Sequence, residues 1–324
     1  MRKAIIFLIL VALLAAPTLS AEGEEPVRVV EVLHFGGLPL LWRPDWPAEV
    51  PPDAFAVPGK RAPRHLAVSI EASGDEDPVV YIAAWDAAGS ARERPWFLVE
   101  QAYSLEFVYD NRGRVRSCAI APHPSDAAPD GDASAGETVY PVFGPDGALL
   151  SAKSVAEGRT ASVSFFREGN TVEELAYDEE GLLSGRVSNR FGGQLLVSVE
   201  TFSEDGTTAA YAGYGYDAHG RVVRVSADEY EAEAFYDSLG RPLRRVVLSG
   251  PEKERNERRY QWDERGLLVR EFAVDSEGKE TEISYSYSFD SRGDWVVRES
   301  SVFAERYGIR APERGARVVR KFTY

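Results

Sequence analysis

The 324-residue chain contains one cysteine, Cys118, and four histidines. A single cysteine excludes an intramolecular disulfide, so stability has to come from packing and strand pairing even in an oxidising compartment. His34, His65, His123 and His219 are scattered, and none stands at metal-ligand spacing from another histidine or from the cysteine,. A Gly-x-Ser-x-Gly elbow, a phosphate loop and a dinucleotide fingerprint are absent as well. The apolar run from Ala4 to Ala16 falls short of the roughly 20 residues of a membrane-spanning helix,. Basic residues are outnumbered, and a formal charge of −15 makes nucleic acid a poor partner,.

Residues 1–21 combine a basic start (Arg2, Lys3), that short apolar run and a small-residue end at Thr18, Ser20 and Ala21. This is the pattern of a secretory signal peptide cut after Ser20 or Ala21. No cysteine follows the run, so the lipoprotein signal is missing. Removing Arg2 and Lys3 takes the formal charge from −15 to −17. The mature chain is expected to be soluble and periplasmic or secreted, with no stable membrane insertion after cleavage.

The informative pattern is a repeated phrase, an aromatic residue followed by Asp-x-x-Gly. It begins at Trp85, Tyr109, Tyr177, Tyr216, Tyr236, Trp262 and Phe289, with looser copies at Phe143 to Gly147, Phe202 to Gly206 and Val274 to Gly278. Asp at the first position of a type I turn accepts backbone hydrogen bonds from residues further on, and Gly at the fourth adopts the left-handed conformation that completes a G1 bulge. Each phrase therefore closes a β-hairpin. The aromatic ends the incoming strand with its ring directed inward. In Ile283-Ser284-Tyr285-Ser286-Tyr287-Ser288-Phe289 the apolar and aromatic residues share one face and three serines the other,. A lone hairpin is marginal in water, so neighbours must pair. The expected fold is all-β, an antiparallel meander of successive hairpins forming a curved or partly closed repeat sheet.

Along the chain, three regions follow: the signal peptide (1–21), an N-terminal strand and Pro-rich loop (22–64), and the hairpin domain (65–324) with a loop near 121–137. Val27 to Phe35 reads as a strand ended by Gly36-Gly37, and Pro44, Pro47, Pro51, Pro52 and Pro58 exclude regular structure after it,. Trp42 and Trp46 flank that Pro-rich stretch. They are the candidate substrate-binding residues, because two indoles on a stiffened segment can stack on a sugar ring; the plainer reading is that they cover the end of the sheet. Asp130-Gly131-Asp132 lacks the remaining oxygen ligands of a calcium loop,. Cys118 lies in an outgoing strand and reads as buried core. Lys253, Arg255, Arg258 and Arg259 alternate with glutamates, as in a charged hairpin loop,.

Tyr214-Gly215-Tyr216-Asp217-Ala218-His219-Gly220-Arg221-Val222 resembles the YD repeat of bacterial Rhs-type proteins, whose consensus is Tyr-x-Tyr-Asp-x-x-Gly-Arg-Leu. The phrases beginning at Tyr109 and Tyr236 match nearly as well. The resemblance covers roughly residues 80–324 and implies an exported β-repeat scaffold; large family members build β-sheet shells around a toxic C-terminal domain. No self-cleavage signature is found near the end of this chain.

The functional expectation is a non-catalytic exported scaffold or binding module of the bacterial cell envelope, with a protein or glycan partner and neither cofactor nor metal. The alternative is an extracellular carbohydrate-active or carbohydrate-binding protein with its site near Trp42 and Trp46.

Overall fold

The computed structural model describes residues 28–37, 42–56, 63–71, 78–87, 89–98, 101–122, 136–156, 158–203, 205–306 and 309–324. The signal peptide and most of the acid-rich loop, Asp130 and Asp132 included, lie outside the described residues.

One helix, α1 (Val29–Gly37), precedes twenty strands. The first ten are β1 (His65–Glu71), β2 (Val79–Trp85), β3 (Ala91–Leu98), β4 (Gln101–Tyr109), β5 (Val115–Pro122), β6 (Glu137–Phe143), β7 (Leu149–Ala156), β8 (Arg159–Glu168), β9 (Thr171–Tyr177) and β10 (Leu183–Gly192). The rest are β11 (Leu195–Phe202), β12 (Thr208–Tyr216), β13 (Val222–Ala227), β14 (Tyr230–Tyr236), β15 (Pro242–Ser249), β16 (Glu254–Trp262), β17 (Leu268–Val274), β18 (Glu280–Phe289), β19 (Trp295–Arg306) and β20 (Ile309–Thr323). The protein is an all-β antiparallel meander of hairpins, and all twenty strands belong to one sheet.

Two compact units divide the chain. One comprises Met1–Pro39, Arg92–Gly215 and Ser226–Asp228, the other Leu40–Ala91, Tyr216–Val225 and Glu229–Tyr324. The division does not follow the expected boundary at residue 64, because each unit joins a piece of the N-terminal segment to strands of its own.

In the first unit β3 to β12 pair in sequence order, as in Tyr103↔Pro122 between β4 and β5 and Ser162↔Tyr177 between β8 and β9. In the second, β14 to β20 do the same. There β1 pairs with β2 on one side and with β20 on the other, from His65↔Thr323 to Glu71↔Arg317. The first strand is thus not an edge.

Val29–Gly37 is helical where a strand was expected. Its branched residues favour strands, but tertiary contacts override so weak a preference. The amides of Val29 and Val30 donate to the Glu174 carboxylate at 2.9 and 3.2 Å, which satisfies two of the donors a helix N-terminus leaves open,. Val29, Val30, Glu31, Val32 and Phe35 are all buried, and burial all round suits a helix that is apolar on nearly every side.

All ten turns form as the phrase requires. In each, the Gly N–H donates to the carbonyl three residues earlier, and the first turn residue donates to the carbonyl four residues later, as in Gly220 to Asp217 and Asp217 to Arg221 at 3.0 Å each. The ten glycines have φ between 74° and 86°. Asp217 Oδ1 accepts from the amides of His219 (2.8 Å) and Arg221 (3.0 Å). The half-buried Asp110 does the same, and the backbone N–H of Arg114, foremost among its partners, holds its carboxyl below the usual range.

Beyond seven of these turns the outgoing strand skips one residue, whereas the β17–β18 register runs unbroken from Val274↔Glu280. Tyr236 pairs with Pro242 but Phe235 with Arg244, and Trp262 with Leu268 but Gln261 with Arg270. This bulge moves the inward positions to a spacing of three: Pro242 and Arg245, Leu268 and Glu271, Trp295 and Arg298 are buried. The skipped Leu243 is left exposed. It also keeps the turn-flanking rings at the margin of the core. Tyr236 and Trp262 are half-buried and Phe289 is 37% exposed, so the inward direction expected of these rings holds only in part.

A β-carbon on Gly220 would meet nothing within 4 Å, so the cost of substitution there is purely conformational. Gly220→Val is expected to lose about 1–2 kcal/mol of stability, whereas His219→Ala should stay within about 0.5 kcal/mol of the parent. Thermal melts of the two variants check this; equal midpoints would contradict the turn assignment.

Candidate functional site

In both units the inward face of the strands is spent on the chain's own N-terminal residues. In the first unit Glu174 (β9), which caps α1, also accepts a 2.6 Å hydrogen bond from the Asn189 amide (β10). Burial pushes its carboxyl up to about 8, against the pull of the Asn189 and backbone donors. Glu31 is fully buried, receives the Tyr214 hydroxyl and pairs with Arg28 at 2.9 Å. Arg94 (β3) donates to the Phe35 carbonyl and lies over the Phe107 ring. Glu137 (β6) accepts from the Ser154 hydroxyl, and burial raises its carboxyl to about 8. Cys118 is buried and free, and burial lifts its thiol to about 12, which leaves it a poor nucleophile,.

In the second unit the same role falls to residues 42–56. Prolines fold this segment into successive turns in which the amides of Trp46, Val50, Ala54 and Ala56 each donate to the carbonyl three residues back. Arg43 and Asp45 form a buried two-pronged pair at 2.9 and 2.5 Å. Arg245 (β15) donates to the Pro44 carbonyl at 2.7 Å and Arg320 (β20) to the Ala56 carbonyl at 2.5 Å. Arg298 (β19) pairs with Asp53 at 3.2 Å, both buried. Burial is the strongest influence on the Arg298 charge and works against it, but Asp53, Tyr285, Tyr287 and Glu271 together outweigh it and the guanidinium is held above its ordinary value. Burial lowers Arg320 to about 10.

Trp42 and Trp46, the candidate sugar-stacking pair, belong to this buried segment and are 8% and 3% exposed. Trp42 meets Tyr236 and Tyr260 edge-on, each with centroids 6.1 Å apart, and Trp46 meets Phe55 at 5.7 Å. Stacking on a sugar needs an open ring face, and neither ring presents one. Of the histidines, His65 and His219 are exposed strand and turn residues, whereas His34 sits in α1 with its Nε2 accepting the Leu196 N–H at 3.4 Å. His123 lies outside the described residues. Among the described residues no group of three or more His, Cys, Asp or Glu is placed to hold a metal ion.

The first unit also contains a half-open cavity of about 420 Å³. Val30 and Leu33 of α1 face Phe143, Leu149, Phe165 and Phe191 of the strands across it, and Arg167 and His34 supply its polar groups. Its strand residues lie near the β6–β7, β8–β9 and β10–β11 turns, which share one end of the meander because each follows an even-numbered strand. Spacing in the sequence could not reveal it, since its residues come from seven elements.

No protein-family model matches the chain, and no curated protein matches it. Among solved structures, a porin-like protein from Bacteroides uniformis ATCC 8492 aligns at 10% identity over 86% of this chain and 98% of its own, with a TM-score of 0.32. A second porin-like protein, from Bacteroides vulgatus ATCC 8482, aligns at 9% identity over 79% and 97%, with a TM-score of 0.24. Likeness at this level is too slight to bear on function, and the site has to be read from its own chemistry.

Missing from the sequence reading are the buried charges Glu137, Glu174, Arg245, Glu271, Arg298 and Arg320. Arg245, Glu271 and Arg298 stand three residues after the first buried residue of an outgoing strand, a regularity that becomes visible only once the bulge is known. Asp53→Ala should cost about 3–5 kcal/mol, because it strands the Arg298 charge in the interior; the Asp53→Leu, Arg298→Met double variant should recover most of the loss in denaturant titrations. Glu137 generates a pH expectation. Its folded-state value of about 8 exceeds the ordinary 4.5, so the folded state holds the proton longer than the unfolded chain, and stability declines as pH rises from about 4.5 to about 8. Glu137→Gln should remove about 2–4 kcal/mol of that decline, measured as unfolding free energy across the window.

Proposed function

We propose that this chain is an exported, non-catalytic β-repeat protein of the bacterial envelope that serves as a scaffold or binding module for a protein or glycan. One observation carries the reading. The polar groups on the inward faces, Glu174, Tyr214, Arg245, Arg298 and Arg320 among them, are engaged by the chain's own residues 28–56, so they are committed to structure rather than to a substrate.

In this reading β1 is a protected strand, since it has partners on both sides and so offers no open edge of the kind that invites aggregation. The resemblance to YD-repeat proteins supports the same reading, because an exported β-repeat scaffold is what that resemblance implies.

In this reading the outer face meets water. Ser284, Ser286 and Ser288 line one side of β18, and Arg244–Glu257 (3.0 Å), Arg270–Glu282 (3.8 Å) and Arg317–Glu71 (3.0 Å) bridge neighbouring strands there. A membrane-spanning barrel instead turns an apolar band about 25 Å tall outward.

Expression with the native leader followed by cell fractionation tests the reading. The protein is expected in the periplasmic or culture fluid without detergent; recovery only from detergent-solubilised outer membrane would overturn the aqueous assignment. Turnover of a glycan or peptide by the purified mature protein, lost on changing one carboxylate pair, would overturn the non-catalytic one.

A further inference from the structure

The cavity in the first unit is not explained by a scaffold role. Its volume of about 420 Å³ lies within the range of about 300–1,000 Å³ typical of small-molecule sites. Its walls are apolar on both sides, from Val30 and Leu33 of the helix to Phe143, Leu149 and Phe165 of the strands. Two groups break that apolar surface, and they differ in character. The His34 ring accepts the Leu196 N–H through Nε2 at 3.4 Å. Arg167, at the exposed end of β8, carries a fixed positive charge.

The surroundings of Arg167 are what distinguish it. At the neighbouring turn Arg114 also lies over a cavity ring, Phe143, at 6.0 Å, but its guanidinium is neutralised by Asp110 at 2.9 Å. Arg167 lies over the Phe191 ring at 5.8 Å. Its turn reads Glu168-Gly169-Asn170-Thr171 and lacks the Asp of the repeated phrase, and among the described residues no carboxylate stands within ion-pair distance of it. The cavity thus joins an apolar trough to one uncompensated cation at its rim.

We infer that this cavity binds a long-chain carboxylate of the fatty-acid class, the hydrocarbon lying between α1 and the strands and the carboxylate paired with Arg167. Charge complementarity selects the head group, since guanidinium and carboxylate match in geometry and sign. Burial of the chain supplies affinity in proportion to the apolar area covered.

The test is titration of the mature protein with the fluorescent fatty acid cis-parinaric acid, with hexadecanoate and hexadecanol as competitors. Saturable one-to-one binding is expected, with hexadecanoate displacing the probe at a concentration roughly tenfold or more below hexadecanol. Arg167→Gln should erase that preference while leaving the melting temperature near that of the parent. Ala148→Trp, at an exposed turn position bordering the cavity, should block binding of acid and alcohol alike. Absence of saturable binding, equal potency of acid and alcohol on the parent, or undiminished binding by the Ala148→Trp variant would each overturn the assignment. None of these outcomes bears on fractionation or turnover, so this inference and the scaffold reading fail separately.

Discussion

One aspartate in each of ten turns organises this protein. Its Oδ1 fixes the backbone of its own hairpin, while in three repeats its Oδ2 holds the arginine that follows the glycine: Arg114 on Asp110, Arg221 on Asp217 and Arg241 on Asp237, at 3.0, 2.6 and 2.6 Å. The arginine so held lies over the ring of the next turn at the same end, Arg221 over Tyr236 at 4.8 Å and Arg241 over Trp262 at 5.8 Å. That ring answers in the other direction. Tyr236 donates to the Val222 carbonyl at 3.0 Å and Trp262 to the Pro242 carbonyl at 2.7 Å, each the residue just after the arginine. Asp, Gly, Arg and the aromatic are therefore parts of one staple, which both reverses the chain and ties each hairpin to its successor. Half-burial of the rings accompanies this, since each ring turns a face to a partly exposed guanidinium, a contact of roughly 0.5–2 kcal/mol.

The staples set the rim, and the buried charges set the register. A strand slipped by one residue turns its inward side chains to solvent. A slip by two keeps the pleat, but it would carry Arg298 away from Asp53 and Arg245 away from the Pro44 carbonyl. Stranding a buried charge costs about 3–5 kcal/mol, comparable to a sizeable part of a domain's net stability. Residues 42–56 thereby act as a template against which the neighbouring strands of their unit are aligned, and α1 does the same for its unit through Glu174 and Glu31.

The turns were legible in the sequence because their chemistry is local: Asp-x-x-Gly states the hydrogen bonds and the left-handed φ within five residues. The face of β18 was legible for the same reason, as Ile283, Tyr285 and Tyr287 alternate with serines. Outgoing strands were not, because a skipped residue changes the spacing of buried positions from two to three and hides Arg298 behind Trp295. The helix was misread since nothing within Val29–Gly37 announces that Glu174, 145 residues away, will cap its first turn. Trp42 and Trp46 looked like a platform because sequence shows an indole but not what lies against it.

The same locality explains why the cavity has the form it does. At the end of the meander where the staples recur, β8 and β10 close in turns without the Asp phrase, so the ladder of Asp, Arg and ring is interrupted there. Arg167 comes from the incoming strand β8 rather than from the position after a turn glycine; it lies over the Phe191 ring at 5.8 Å, its turn supplies no aspartate, and Val30 and Leu33 of the helix line the same cavity. An unneutralised cation thus stands beside an apolar trough where a turn lacks the aspartate of the repeated phrase. A site made by leaving out a structural residue carries no motif of its own, and it becomes visible only against the regular staples around it.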